Sequence, residues 1–293
     1  MRNVITGASI AKIDTFTTGT TPAGTTGTPS NLGKINPWIE DETDNTAARI
    51  YGGDMLGYMW RFDFDNNIAP AGNEAFLMGR ALTAASVPQP ITTKPILAKV
   101  GNVATLPTVT FATGRYLGAS DVGDTTLQSI YVVKDALTST SLGTLRSNAG
   151  MVQQTMATAT VNGVATRRVS VQPVDWSARN GWYIDLSLTA GERVNVDMLQ
   201  TGRLLTVASN IPAPTPCNPG GTSWLYFFDI SNGEIGDALL SDALTAGLNI
   251  VKLGDTVKII QWDTLGRPRV TTPVVPGGVG ATLRRTSWRE LIN

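Results

Sequence analysis

The sequence contains no histidine and a single cysteine among its 293 residues, and these absences exclude several kinds of reactive site. Without histidine there can be no Ser-His-Asp triad, no Cys-His pair and no imidazole ligand for a metal. One cysteine cannot close a disulfide within the chain or build a thiolate zinc site. A metal bound by this chain would therefore be a hard cation such as calcium or magnesium, held by oxygen atoms.

Charge is also scarce. Charged residues make up 16% of the chain, and 23 basic side chains balance 23 acidic ones. A net charge of zero argues against a nucleic-acid partner, which would require a basic surface. No run of apolar residues is long enough for a transmembrane segment. The opening MRNVITGASI lacks the apolar core of a signal peptide, so we expect an export signal, if the protein is exported, upstream of this sequence.

Glycine and proline, by contrast, are frequent, with 30 and 16 residues. This composition favours many short strands joined by turns. The Thr/Gly/Pro tract at residues 15–31 has little to bury and is predicted to be a surface loop or a disordered insertion. Apolar residues approach helical spacing only at 234–247, where the pattern leaves a helix and a strand equally open.

A recurring unit runs through the chain: an aromatic or aliphatic strand, then an aspartate, then a turn rich in Gly, Asn, Ser or Thr. Aspartate suits the end of a strand because its side chain can accept hydrogen bonds from the backbone of the following turn. The intervals between successive aspartates are 72, 50, 44 and 34 residues. Recurrence at about 40–50 residues is typical of the blades of a β-propeller, and the longest interval would hold either one blade with a long insertion or two blades. The alternative is a β-sandwich with similar turns. We predict an all-β fold, a partial propeller ring of about four to six blades, each a four-stranded antiparallel sheet. The aspartates are Asp63, Asp135, Asp185, Asp229 and Asp263.

Several segments resemble one known family, the PilY-type proteins of the type IV pilus tip. They are ARIYGGDMLGYMWRFD (48–63), TGRYLGASDVGDTTLQSIYVVKD (113–135), GWYIDLSLTAGERV (181–194), PCNPGGTSWLYFFD (216–229) and RRTSWRELIN (284–293). The resemblance implies that residues 1–293 are the C-terminal part of a quinoprotein-like β-propeller. It also implies a non-enzymatic, exported protein at the pilus tip, the cell surface or the outer membrane. The expected roles are pilus biogenesis, twitching motility and adhesion, with minor pilins and host or abiotic surfaces as partners.

In this family a calcium-binding loop precedes the segment that begins at residue 48. Placed on this chain without gaps, its ligand positions fall at Glu40, Glu42, Asp44 and Thr46, and the closing position falls at Ala48. Alanine has no side-chain oxygen, and glutamate at the first and third positions is longer than the usual ligands of such loops. We therefore expect weakened or lost calcium binding, and no other cofactor.

Other functional interpretations have less support. Asp63, Asp65, Asn67 and Glu74 imitate the spacing of an EF-hand, but Ile68 stands where that loop requires glycine. A quinone-dependent (PQQ-type) dehydrogenase is the alternative from a different class, since its propeller has similar repeats. The seven tryptophans are better explained as packing residues of the blades. A truncated, non-functional copy is the third possibility.

Overall fold

The computed structural model describes residues 5–9, 12–15, 24–25, 27–40, 43, 46–64, 68, 74–100, 106–213, 220–253 and 256–274. Within these ranges the regular structure consists of 17 strands and two short 3-10 helices, Ala119–Asp121 and Leu145–Ser147. The predicted all-β class is therefore confirmed.

The first sheet is a four-stranded antiparallel meander in the order β1-β2-β3-β4. Asp54, the last residue of β2, shapes the turn into β3, since its Oδ1 accepts hydrogen bonds from the backbone N–H groups of Leu56 (2.9 Å) and Tyr58 (3.0 Å). Gly57 completes this turn with a φ of 79°, a conformation that favours glycine. The four strands are β1 (Leu32–Ile39), β2 (Ala47–Asp54), β3 (Tyr58–Asp63) and β4 (Ala75–Arg80).

The second sheet has six strands in the order β5-β6-β7-β10-β8-β9. The strands β5, β6, β7 and β10 pair antiparallel, as in the first sheet. The strand β8 pairs parallel with β10 and forms an antiparallel hairpin with β9. The strands are β5 (Ile96–Ala98), β6 (Thr108–Ala112), β7 (Ser129–Lys134), β8 (Met151–Val161), β9 (Val164–Ser170) and β10 (Gly181–Asp185).

The third and fourth sheets are antiparallel throughout. The third has the order β11-β12-β13-β14, and the fourth has three described strands in the order β15-β16-β17. Their bounds are β11 (Leu199–Thr201), β12 (Leu204–Pro212), β13 (Gly221–Asp229), β14 (Ile235–Ser241), β15 (Thr245–Leu253), β16 (Thr256–Asp263) and β17 (Pro268–Thr271).

Three apolar cores join these sheets in sequence order. The first and second sheets share a core around Tyr51 and Tyr131, and the second and third share the largest core, around Trp182 and Tyr226. Phe227 and Ile259 lie in the core between the third and fourth sheets. The sheets are therefore stacked face to face along the chain, each burying apolar side chains against the next.

Two details of the sequence prediction differ from the structure. The helix considered at 234–247 does not form: β14 occupies its first half and pairs with β13, as in the pairing of Ala238 with Tyr226. The recurring aspartates also do not mark one sheet each, because Asp135 and Asp185 belong to the same sheet. Within its described residues, the long interval from Asp63 to Asp135 contains β4 to β7 and no additional unit.

The Thr/Gly/Pro tract is described only in part. Thr25 and Thr28 close a small exposed turn, in which their hydroxyl oxygens lie 2.8 Å apart. Most of residues 15–31 lies outside the described residues, as do Cys217 and the C-terminal residues 284–293. The assignment of this tract as an insertion therefore stays a prediction.

Candidate functional site

The loop predicted to bind calcium connects β1 to β2. The two strands pair as far as Ile39 and Ala47, so the connection consists of residues 40–46. Glu40 follows the end of β1, Thr46 is exposed directly before β2, and Ala48 is buried within β2. Glu42 and Asp44 lie outside the described residues.

The carboxylate of Glu40 forms an ion pair with a buried arginine. Its Oε1 accepts a hydrogen bond from Nη2 of Arg49, whose side chain is 2% exposed. The first proposed calcium ligand is therefore already neutralised by a guanidinium group of the protein, and Ala48 offers no side-chain oxygen at the closing position. The described members of the loop do not fit a calcium site of the usual kind, which needs several uncommitted oxygen ligands.

Behind this loop lies a buried group of charged side chains centred on Arg61 in β3. Its Nε donates to Asp63 Oδ2 over 2.9 Å, and its Nη1 donates to Asp135 Oδ1 over 2.8 Å. Asp135 also accepts a hydrogen bond of 2.8 Å from the hydroxyl of Tyr51. Burial raises the pKa of Asp63, although the hydrogen bond and charge of Arg61 act in the opposite direction. This cluster connects the first sheet to the end of β7 in the second.

The EF-hand-like spacing at residues 63–74 does not use Asp63 as a free ligand. One oxygen of Asp63 is bonded to Arg61, and its backbone N–H donates to the carbonyl of Glu74 over 3.1 Å. Asp63 is fully buried, and Asp65 and Asn67 lie outside the described residues. The contacts of Asp63 identify it as a structural partner of Arg61.

Strand-end aspartates accept hydrogen bonds from the following turn, from an arginine side chain, or from both. Asp229 and Asp263 accept hydrogen bonds from the backbone of the following turn, as the sequence pattern predicts: from Ser231 N over 2.8 Å and from Leu265 N over 2.9 Å. Both also pair with an arginine, Asp229 with Arg203 and Asp263 with Arg267, as Asp185 pairs with Arg146 at 2.8 and 2.6 Å. The sequence pattern finds these aspartates and predicts their contacts with the turns, but it does not predict their arginine partners.

The connection from β6 to β7, which carries one of the family-like segments, encloses a buried guanidinium group. Arg193 donates to the carbonyl oxygens of Arg115 (3.0 Å), Asp121 and Asp124 and to that of Gly191 (2.8 Å). Burial lowers the pKa of Arg193, while the nearby carboxylates of Asp124 and Asp121 oppose this change. A cation belonging to the protein thus occupies the centre of this acidic loop.

Sequence reasoning missed these buried arginines. Arg61 pairs with Asp63 two positions along the strand, but its second partner, Asp135, lies 74 positions away, where no local pattern identifies it. One signal was available: Arg61 lies in the aromatic strand YMWRFD, and Arg49 also lies within a strand that is otherwise largely apolar. An arginine inside such a strand needs a carboxylate partner, since a buried charge is tolerated only when it is paired.

Tryptophans of the described sheets serve mainly as packing residues. Trp182 is fully buried, and its ring nitrogen donates to the carbonyl of Ile230 over 2.9 Å. Trp60 donates to Asp54 Oδ2 over 3.0 Å, and Trp224 lies against the guanidinium of Arg167, which is 4.3 Å from the ring centre. Trp262 is an exception, with 40% of its surface exposed.

Two further observations concern the described part of the chain alone. No group of three or more His, Cys, Asp or Glu side chains among these residues has the geometry to hold a metal ion. No helix among them has the length and apolar character needed to cross a membrane.

Comparison with known proteins finds relatives among the type IV pilus biogenesis factors, although no protein-family model matches the chain. The relatives carry the name PilY1. A PilY1 homolog of Xylella fastidiosa is 28% identical over 291 residues, which cover 90% of this chain and 22% of that protein. PilY1 of Pseudomonas aeruginosa is 29% identical over 253 residues, covering 72% of this chain and 21% of the relative.

A solved structure agrees in fold. The crystal structure of the Pseudomonas aeruginosa PilY1 C-terminal domain matches with a TM-score of 0.68 and 21% identity, covering 92% of this chain and 65% of that domain. The resemblance inferred from the sequence motifs is thus confirmed: the chain is related to PilY1 proteins and corresponds to their C-terminal portion. It spans about a fifth of the length of the relatives.

Proposed function

We propose that this chain acts in type IV pilus biogenesis as a non-enzymatic, surface-exposed module. The observation that carries the proposal is the similarity to PilY1 proteins along 90% of the chain, together with the fold shared with a PilY1 C-terminal domain. Pilus components such as minor pilins are its proposed partners, and the pilus tip or cell surface is its proposed location. Twitching motility and adhesion to surfaces are the proposed outcomes of these contacts.

Support for a non-enzymatic role comes from the ion pairs that the buried carboxylates form with arginines. Asp63, Asp135 and Glu192 are each bonded to an arginine that is itself buried. Groups held in this way stabilise the contacts between sheets and are poorly suited to exchange protons with a substrate. The loops at the sheet ends are the proposed contact surfaces, since loops vary in sequence without disturbing the stack.

We further propose that the four stacked sheets are part of a propeller ring. The β1–β4 and β11–β14 meanders have the strand number and order of blades, and each sheet packs on the next. The outward face of the fourth sheet carries Trp262 and Val270, which are 40% and 61% exposed. In a closed ring a neighbouring blade would cover this face.

We also propose that the β1–β2 loop binds calcium weakly or not at all, for the reasons of charge and ligand number given above.

Genetic deletion tests the proposed function in the source organism. The coding segment is deleted and restored on a plasmid, and surface pili, twitching zones and adherent cells are scored. Loss of all three with recovery on restoration supports the proposal. An unchanged strain would favour a non-functional copy. Turnover of an alcohol with added quinone cofactor by the purified protein would instead favour the dehydrogenase.

A further inference from the structure

One strand of the second sheet has an edge without a strand partner among the described residues. On one side β8 pairs with β9 along Thr155–Val161. On its other side it pairs with β10 only over Met151–Gln154. We call the remaining segment, Thr155–Val161, the free edge. Five of its seven residues are exposed: Thr155, Ala157, Thr158, Thr160 and Val161.

The free edge lacks the features that normally prevent a strand edge from pairing. An open edge presents unbonded N–H and C=O groups, and proteins protect it with charge, proline or a short strand. Thr155–Val161 reads TMATATV, with no charged residue, no proline and no glycine. The uncharged stretch continues through the turn to Thr166.

Every strand at the border of a described sheet has such protection. The strands β5 and β11 are three residues long. The others contain a charged residue or proline within the strand: Lys34 and Pro37 in β1, Arg80 in β4, Arg167 and Arg168 in β9, Asp237 in β14, Lys252 in β15, and Pro268 and Arg269 in β17. The free edge is therefore an exception within its own protein.

The hairpin that carries the free edge is firmly anchored at its base. Met156 is buried in the core between the second and third sheets, and the Thr166 hydroxyl donates to the carbonyl of Ala238 in β14 over 2.9 Å. Asn162 and Gly163 form the tip, with φ values of 52° and 78°, which suit the tight turn of a two-residue hairpin. An edge held in this way needs little ordering before it binds, which reduces the entropic cost of association.

We propose that the free edge, Thr155–Val161, binds an extended, uncharged polypeptide segment of another protein by β-strand addition. Backbone groups spaced along an extended strand are recognised by the backbone of another strand, and neighbouring side chains select its sequence. The absence of charge along the edge favours an uncharged segment. The edge would bind such a segment whichever assembly the protein serves.

A second copy of this chain is a less suitable occupant. Stable association of two rigid proteins buries at least about 1,200 Å² in total, and contact between two seven-residue edges provides far less. An extended segment that is not part of a folded sheet can instead place side chains against both faces of the hairpin. The proposed occupant is therefore a segment of a different polypeptide.

The probe is a capped, fluorescently labelled peptide of sequence TMATATV, and its binding to the whole chain is followed by fluorescence polarisation. We expect saturable binding that is weakened at least about tenfold in the Thr158→Lys/Thr160→Lys double variant, because charge on an edge opposes pairing. The control Ser139→Lys adds one charge to an exposed loop and should bind as the wild type does. A peptide N-methylated at alternate residues should not bind. Hydrogen exchange of the complex should show new protection confined to residues 155–161.

Three results would overturn the proposal: no saturable binding by the wild type, equal binding by the double variant, or protection elsewhere in the chain. Light scattering supplies a further outcome. If the wild type dimerises and the double variant does not, the edge pairs with a second copy and the proposed occupant is wrong. Circular dichroism of all variants verifies that the fold is retained, so that a loss of binding can be distinguished from a loss of folding.

Discussion

Arg167 of β9 and Glu192, in the connection from β10 to β11, form a buried ion pair in which Nη1 of the arginine lies 2.7 Å from both carboxylate oxygens. Oε1 of Glu192 also accepts hydrogen bonds from the hydroxyls of Tyr226 (2.5 Å) and Ser209 (2.6 Å). Tyr226 and Ser209 belong to the third sheet, whereas Arg167 belongs to the second. This pair therefore attaches the hairpin to the neighbouring sheet.

Removing only the arginine should be strongly destabilising. Arg167→Met leaves the Glu192 carboxylate buried without its cation, which costs about 3–5 kcal/mol of unfolding free energy. The double variant Arg167→Met/Glu192→Gln should recover more than half of this loss, because a neutral amide still accepts from Tyr226 and Ser209. Urea unfolding measures both. Arg168→Met is the matched control, since Arg168 is exposed, and should cost less than about 1 kcal/mol. A double variant as unstable as Arg167→Met alone would contradict this account.

The outward face of the fourth sheet gives a prediction about association. A sheet face bearing exposed Trp262 and Val270 should make purified residues 1–293 self-associate as concentration rises, since contiguous apolar surface favours contact. Trp262→Lys should reduce this association in light scattering. Leu117→Lys changes a residue that is 71% exposed in a loop and should leave association unchanged. A sharp monomeric peak with a high, concentration-independent melting temperature would mean that the chain closes its own ring.

Asp54 gives a prediction about pH. Burial raises its pKa above the ordinary value of 3.8, despite the opposing hydrogen bonds from Trp60, Tyr58 and Leu56. The folded state therefore holds this proton more tightly than the unfolded state, and the stability this provides is lost as pH rises through the raised pKa. Asp54→Asn removes that dependence. The stability advantage of the wild type over Asp54→Asn should be largest below about pH 4 and smaller at neutral pH. Urea titrations at several pH values measure it, and an advantage that grows with pH would contradict the assignment.

The β1–β2 loop gives a prediction about calcium. Titration calorimetry of the wild type should show no saturable calcium binding at micromolar concentrations, because Glu40 is bonded to Arg49 and Ala48 supplies no oxygen. Ala48→Asp restores a closing carboxylate and should introduce or strengthen binding. Ala47→Asp adds a carboxylate one position away, where the family's loop has no ligand, and is the control that should not do so. Tight wild-type binding that Asp44→Ala abolishes would show that the loop is a functional site.

The sequence predicts the strands better than it predicts the contacts between them. Alternating aromatic and aliphatic residues followed by aspartate locate the ends of β3, β7, β10, β13 and β16 closely, because both signals are local. At 234–247 the local signal was ambiguous, and long-range pairing with β13 decides it in favour of a strand. The ion pair of Arg61 with Asp135 joins residues 74 positions apart, a relationship that no local pattern contains. For the calcium loop, the motif identified the missing oxygen at Ala48, whereas the buried partner of Glu40 is visible only in the structure.

The proposed role in pilus biogenesis is tested most directly by the fraction of total pilin that is assembled on the cell surface. This fraction is measured by shearing pili from a strain that lacks the coding segment and from the same strain with the segment restored. A role in biogenesis predicts a clear fall in surface pilin in the deletion strain, with total pilin unchanged, and recovery on restoration. A surface fraction equal to that of the parent strain, under conditions in which the parent expresses this protein, would contradict that role.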